Sequence, residues 1–321
     1  MKLSGSENGL LRWQGRLAIA CAALLWSLSG FFTRILRVDT IWHLNDPILS
    51  PGQITFYRSL FAGLVLIPLV PWKKVELKPT MGMMVFTFAV MNILFVSAMA
   101  LGSAANAILL QNMAPFYVFL ISVFIFKQPL ERGNLISLII GMGGILLIIF
   151  GNGIGNNWEV TAMGLGSGLT YALVILFLKM LRSHSPIWLI MQNQLGSAFL
   201  LLLAMIVLNG VSLTGHWLTE VSFQQLICLM VFGVIQMGTP YCLFAYGLRF
   251  VSPAEAGMIT LLEPLLNPLW AFLISPETDT PPGTTLIGGA LILTGLIYRY
   301  LPQHLPKRIP EPKSTSENLP E

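Results

Sequence analysis

Glu263 is the residue of this chain with the most chemistry to offer. It sits inside an apolar run, LLEPLLNPLWA, beside Pro264 and about one turn before Pro268. Proline within a helix removes a hydrogen bond and frees a carbonyl. A carboxylate at such a point is a candidate for holding an amine or exchanging a proton. The competing role is structural, an ion pair or hydrogen bond that locks two helices together. Arg58, in FYRSLFAG, offers the complementary charge. Its guanidinium can take a carboxylate through two parallel hydrogen bonds, or it can snorkel towards water or cap a neighbouring helix. Glu255, in SPAEAG, falls within a turn of a helix start, where the dipole favours an anion for structural reasons alone.

Neutral polar side chains recur in the same apolar surroundings. Gln111 and Asn112 precede Pro115, and Asn92, Asn193, Gln194, Gln236 and Tyr241 each interrupt a hydrophobic run. Trp26, in ALLWS, and Tyr171, in GLTYA, occupy matching places in two runs. Aromatic faces can stack on a cation or an amphiphilic solute, and each of these groups can instead bond or pack against a neighbouring helix. Their concentration in six of the runs favours a shared polar cavity bordered by Trp26, Arg58, Asn92, Gln111, Tyr171, Gln236, Tyr241 and Glu263.

Other chemistry is not indicated. GNGIG, from Gly151, resembles a phosphate loop but has neither the strand before it nor the helix after it that such a loop needs. The four histidines, His43, His184, His216 and His304, fall in separate loops, so neither a metal site nor any other cofactor is expected. Cys21, Cys228 and Cys242 lie inside apolar runs and read as small core packers. GMGG (141–144) and GLGSG (164–168) suit close helix packing by small residues.

The elements that position these groups follow from composition. Hydrophobic residues make up 55% of the chain and charged residues 10%, against about 25% charged in a typical soluble domain. Apolar runs of about 20 residues, long enough to cross the hydrocarbon core, recur along the sequence. In lipid every backbone polar group must be bonded internally, so the runs must be helices. Ten are expected: Leu17 to Leu36, Ile54 to Val70, Met81 to Leu101, Ala104 to Phe126, Leu135 to Phe150, Thr161 to Leu181, Ile187 to Leu208, Phe223 to Leu248, Ala254 to Ile274 and Thr284 to Leu301. The first exceeds a signal core and more runs follow it, so it reads as a span. The proline-rich, charged segment 302–321 is expected to be disordered.

Lys and Arg crowd alternate loops. One side receives Lys2, Arg12, Arg16, Lys73, Lys74, Lys78, Lys127, Arg132, Lys179, Arg182, Arg249, Arg299, Lys307, Arg308 and Lys313; the other receives Arg34 and Arg37. The positive-inside rule then places both termini in the cytoplasm, which an even number of spans requires. The short basic loops form no domain able to hold nucleic acid.

The chain also repeats itself. SAANAILLQNMAPFYVFLIS and SPAEAGMITLLEPLLNPLWA align 149 positions apart, pairing Ser103 with Ser252, Ala105 with Ala254, Ala107 with Ala256, Pro115 with Pro264 and Leu120 with Leu269. Glu263 then pairs with Ala114, so any role it has is asymmetric. Five helices per repeat is an odd number, and the halves must insert in opposite orientations, an architecture that puts a site near the midplane.

These segments, with ALLWSLSGFFTRIL, FYRSLFAGLVLIPL and the closing LIGGALILTGLIY, resemble the ten-helix EamA-type members of the drug/metabolite transporter superfamily over residues 16 to 301. In that family the loops after the fourth and ninth helices often carry a Glu. This chain has Glu277 in the second half but Lys127-Gln128 in the first, with Glu131 a little later. The resemblance implies an all-α membrane protein of two inverted repeats, 17–150 and 161–301, flanked by an N-terminal segment 1–16 and the tail. It implies a secondary-active transporter for export or exchange of small organic metabolites such as amino acids or drugs, working by alternating access, with export the expected direction. No eukaryotic retention or lipidation signal is evident, which fits a bacterial inner membrane. The expected partners are that solute, the lipid bilayer, a coupling proton or counter-transported solute, and a second copy in a homodimer. The alternative function, a membrane-embedded enzyme on lipid or polyprenyl substrates, calls for acidic or histidine clusters that the sequence does not show.

Overall fold

The structure, a computed structural model, describes residues 5–127, 132–151, 158–251, 256 and 259–300. Glu255, Gln128, Glu131, the GNGIG segment beyond Gly151 and the tail 302–321 lie outside the described residues. Among those described, every regular element is helical. The helices are α1 (Gly5–Ser27), α2 (Ser29–Ile35), α3 (Pro51–Leu66), α4 (Pro79–Leu101), α5 (Ala104–Gln111), α6 (Ala114–Phe124) and α7 (Arg132–Gly151). They continue with α8 (Trp158–Met180), α9 (Pro186–Thr219), α10 (Phe223–Val231), α11 (Thr239–Gly247), α12 (Leu262–Ile274), α13 (Pro276–Asp279) and α14 (Gly283–Tyr300). A π-helical turn, Phe232–Gly238, joins α10 to α11.

Among the described residues, seven helical segments are long and apolar enough to cross a membrane, at the places of spans one to four and six to eight. Shorter apolar helices occupy the other three places: Ile139–Ile148, Leu262–Ile274 and Gly283–Tyr298. Large apolar side chains such as Phe86, Ile139, Phe199, Val207 and Leu286 stay exposed on the bundle, the surface a lipid-facing protein presents.

Several spans are broken where the sequence suggests continuity. The first divides at Leu28, between two serines that receive donors from α12: Asn267 Nδ2 to Ser29 Oγ at 2.6 Å and Trp270 Nε1 to Ser27 Oγ at 2.8 Å. The fourth divides at Asn112-Met113, and the aligned ninth has its break at Leu261. Met113 (φ −73, ψ −8) and Leu261 (φ −64, ψ −11) cap the following helices with nearly the same backbone. In each repeat the break comes two or three residues ahead of the aligned proline. Pro264 therefore lies in the first turn of α12, where a missing N–H costs little. The hydrogen bond expected to be lost at Pro264 inside a helix is thus largely avoided, because a new helix starts just before Glu263.

The seventh span does not end at Leu208. α9 runs on to Thr219 through a bend at Gly210, whose φ of 78 suits glycine. The far segment is tied to α3: Gln53 Nε2 donates to the Trp217 carbonyl and the Tyr57 hydroxyl to that of Leu218. His216, expected in a loop, is thus helical. Cys21 is exposed rather than packed in the core, and Cys228 and Cys242 are half-buried.

Small residues set the closest contacts. A Cβ on Gly144 would lie 2.4 Å from the Gly288 carbonyl, and one on Gly288 would lie 2.6 Å from that of Gly144. This reciprocal crossing of α7 and α14 brings together the last helices of the two halves. Gly164 and Gly168 admit Leu110 of α5 in the same way, and Gly141 admits Phe116.

Candidate functional site

Arg58 lies on α3, one face of which is covered by the π turn. Gly233 makes that possible, since a Cβ there would stand 2.5 Å from the Arg58 carbonyl. Arg58 as a whole is 2% exposed. Its Nη2 donates to Asn92 Oδ1 of α4, and Asn92 Nδ2 donates onward to Ser59 Oγ at 2.7 Å. The charge also lies 5.2 Å from the centroid of the Phe232 ring, which stacks on Phe32 of α2. Among the described residues Arg58 has no carboxylate partner, and its Nε has no hydrogen-bond partner at all. A buried cation held only by an amide and a ring is under-compensated.

The π turn carries the next member. Gln236 Nε2 donates to the Trp26 carbonyl at 2.9 Å, while its Oε1 is buried without a partner. An i→i+5 turn inserts one extra residue and re-aims side chains, and such turns are frequent at functional sites. Trp26 meets Tyr241 edge-on with ring centroids 5.2 Å apart, and Phe244 at 5.4 Å. Tyr241 lies close enough to feel the charges of both Glu263 and Arg58. Glu263 is half-buried in the first turn of α12, where the positive end of the helix dipole favours its anion. The two charges that the sequence singles out are therefore both within electrostatic reach of one phenol, whose ring meets Trp26.

Gln111 and Tyr171 belong to the seam between α5 and α8. Gln111 is buried at the last turn of α5, and its carbonyl would lie 3.3 Å from a Cβ on Gly168. Tyr171, one turn further along α8, is 39% exposed. Trp26 and Tyr171 occupy matching sequence places but unequal surroundings.

Sequence reasoning did not single out Ser59, Phe232 or Asn267, because a hydroxyl, a ring or an amide in an apolar run looks like any other. It also treated Arg34 as a loop cation. Arg34 is buried at the end of α2 and paired with Asp279 of α13. The family resemblance draws attention to Glu277, which is exposed; the buried carboxylate is Asp279, two residues on. Arg37, the second cation at that end, donates to the Leu49 carbonyl. Burial and, secondarily, the nearby Arg34 lower its pKa from the ordinary value.

Fold and site together define an integral membrane protein of helical hairpins with an internal duplication around a buried polar cluster. Comparison with known proteins gives the family. The model of the EamA-like transporter family matches twice, over residues 13–150 and 159–300. The chain belongs to that family, within the drug/metabolite transporter superfamily. A protein of Archaeoglobus fulgidus described as an uncharacterized transporter is 31% identical over 88% of this chain and 95% of its own length. A protein of Escherichia coli K12 described as a probable amino-acid metabolite efflux pump is 24% identical over 81% and 91%. One solved crystal structure shares the fold, with a TM-score of 0.56 at 15% identity over 92% of this chain and 97% of that one.

Proposed function

We infer that this transporter is a secondary-active exporter of small organic metabolites, amino acids or drugs among them, that works by alternating access. Its ten helical segments cross a bacterial inner membrane as two inverted repeats, 17–150 and 161–301, with both termini cytoplasmic. The short apolar helices at the fifth, ninth and tenth places complete the count that the loop charges require.

The observation that carries the reading is that Arg58, buried without a carboxylate partner among the described residues, and Glu263 both lie within electrostatic reach of Tyr241. Opposite charges near one phenol, beside an indole, suit a solute that carries a carboxylate, an amine and an apolar body. Among the described residues Arg58 has no anion of its own and its Nε has no hydrogen-bond partner, so a solute carboxylate would complete its hydrogen bonding. Glu263 would hold the amine, or a coupling proton when the solute is absent, and would exchange one for the other during the cycle. The name of the Escherichia coli relative points to the same solute class.

The test is efflux from proteoliposomes loaded with amino acids of differing charge and size. Wild-type protein should move a subset of them, and Glu263→Gln should insert and fold normally while transport stops or no longer responds to an imposed proton gradient. Undiminished, gradient-driven efflux by Glu263→Gln would remove Glu263 from the mechanism.

A further inference from the structure

A groove of about 370 Å³ opens on the outside of the bundle between α6 and α8, remote from the Arg58 cluster in sequence. Its walls are Ser122 and Phe126 on one side and Leu176 and Met180 on the other, and Lys179 and Arg182 stand at its rim. Leu176, Lys179 and Met180 follow one another at helical i, i+3, i+4 spacing and share a face of α8. Ser122 lies in the last turns of α6, and Phe126 just past its end.

Lys179 and Arg182 lie at the end of α8 where the chain leaves the apolar region, at the basic side of the bundle. Leu176 is one turn deeper at 1.5 Å per residue, and Ser122 is one turn deeper than Phe126. Phe126 and Met180 stand level with the two cations and Leu176 a turn deeper, so the cations at the water boundary border an apolar trough. Among the described residues neither cation has a carboxylate partner, and both are exposed. A soluble anion would need the charges but would have no use for the trough. A neutral lipid would use the trough and leave the charges unanswered.

The geometry points to a binding site for an anionic phospholipid, its headgroup phosphate between Lys179 and Arg182 and an acyl chain along Phe126, Leu176 and Met180. Basic pockets between transmembrane helices on the cytoplasmic side suit such headgroups. Lys127, next in the chain after Phe126 and also exposed, adds to the positive field at that rim. The site does not depend on which solute is carried or on whether Glu263 couples transport.

The full-length chain in detergent, titrated with phosphatidylglycerol, with phosphatidylcholine of the same acyl chains and with inorganic phosphate, and read by native mass spectrometry, tests the assignment. Phosphatidylglycerol should bind more tightly than phosphatidylcholine. Lys179→Gln with Arg182→Gln should weaken phosphatidylglycerol roughly 30-fold, about fivefold per cation, and leave phosphatidylcholine unchanged. Leu176→Trp, which fills the trough and keeps both charges, should weaken both lipids. Lys73→Gln with Lys78→Gln, cations of another loop, should have no effect. Equal binding of the two lipids, an equal loss in the Lys73 and Lys78 control, or displacement of the lipid by inorganic phosphate with Leu176→Trp silent would each overturn it.

Discussion

Arg34 and Asp279, 245 residues apart in sequence, form a two-point ion pair buried at one end of the bundle: Nε and Nη2 of the guanidinium donate to the two carboxylate oxygens. Asp279 Oδ1 also accepts from the backbone N–H of Ala104 at 3.0 Å, and Arg34 Nη2 donates to the Gly102 carbonyl. One carboxylate thus ties α2 of the first half to α13 of the second and caps the start of α5. Asp279 serves an otherwise unsatisfied N-terminal donor there, and the helix dipole adds to its hold.

Breaking such a pair on one side leaves an uncompensated buried charge, at a cost of about 3–5 kcal/mol. Asp279→Ala should lower the thermal midpoint in detergent markedly. Arg34→Met combined with Asp279→Leu should recover much of the loss, because no charge is left behind. A single variant as stable as wild type would show the pair to be solvated.

Arg58 gives a prediction about selectivity. Arg58→Lys keeps the charge but loses the planar fork, and the two side chains are not interchangeable at a bidentate site. A lost charge-assisted hydrogen bond is worth about 1.5–3 kcal/mol, or roughly 10- to 150-fold in affinity. Efflux of solutes with a carboxylate should show a KM raised by that range, while a solute without one keeps its KM. Equal effects on both solutes would assign Arg58 to holding α3 against α4.

The glycines separate contact from propensity. Gly233→Ala places a methyl 2.5 Å from the Arg58 carbonyl, an overpacking that costs about 1–3 kcal/mol and pushes the π turn off α3. Gly143→Ala meets nothing within 4 Å and should be neutral or stabilising by up to about 1 kcal/mol. Thermal midpoints of the two variants, measured side by side, check the contrast.

Trp26→Ala removes the edge contact with Tyr241 at 5.2 Å and the contact with Phe244. Aromatic pairs are worth about 0.5–1.5 kcal/mol beyond their burial, so a solute whose own ring packs on Trp26 should bind roughly two- to tenfold more weakly to the variant. Trp26→Phe should restore most of it, because a ring remains. Efflux concentration dependence for a small and an aromatic amino acid distinguishes this from general misfolding, which lowers both.

The sequence by itself determined the helices, their membrane setting and the duplication, because each is written locally. An apolar run of spanning length has no stable alternative in lipid but a helix, and SAANAILLQNMAP and SPAEAGMITLLEP align without reference to any partner. Even the paired breaks at Met113 and Leu261 are foreshadowed by Pro115 and Pro264, although the sequence puts the kink at the proline and the structure starts the helix before it. Glu263 and Arg58 stand out because a charge in an apolar run is costly. Only the tertiary structure decided whom they face. Apolar helices look alike on every side, so no periodicity tells Arg58 that it will rest against Asn92 and Phe232. Asp279 reads as a loop residue until α2 and α5 arrive around it, and Gly233 matters only where α3 comes close. Hydrophobic patterning sets where the chain is buried; the pairing of polar groups between helices depends on how those helices rotate and cross, which is settled by packing across hundreds of residues.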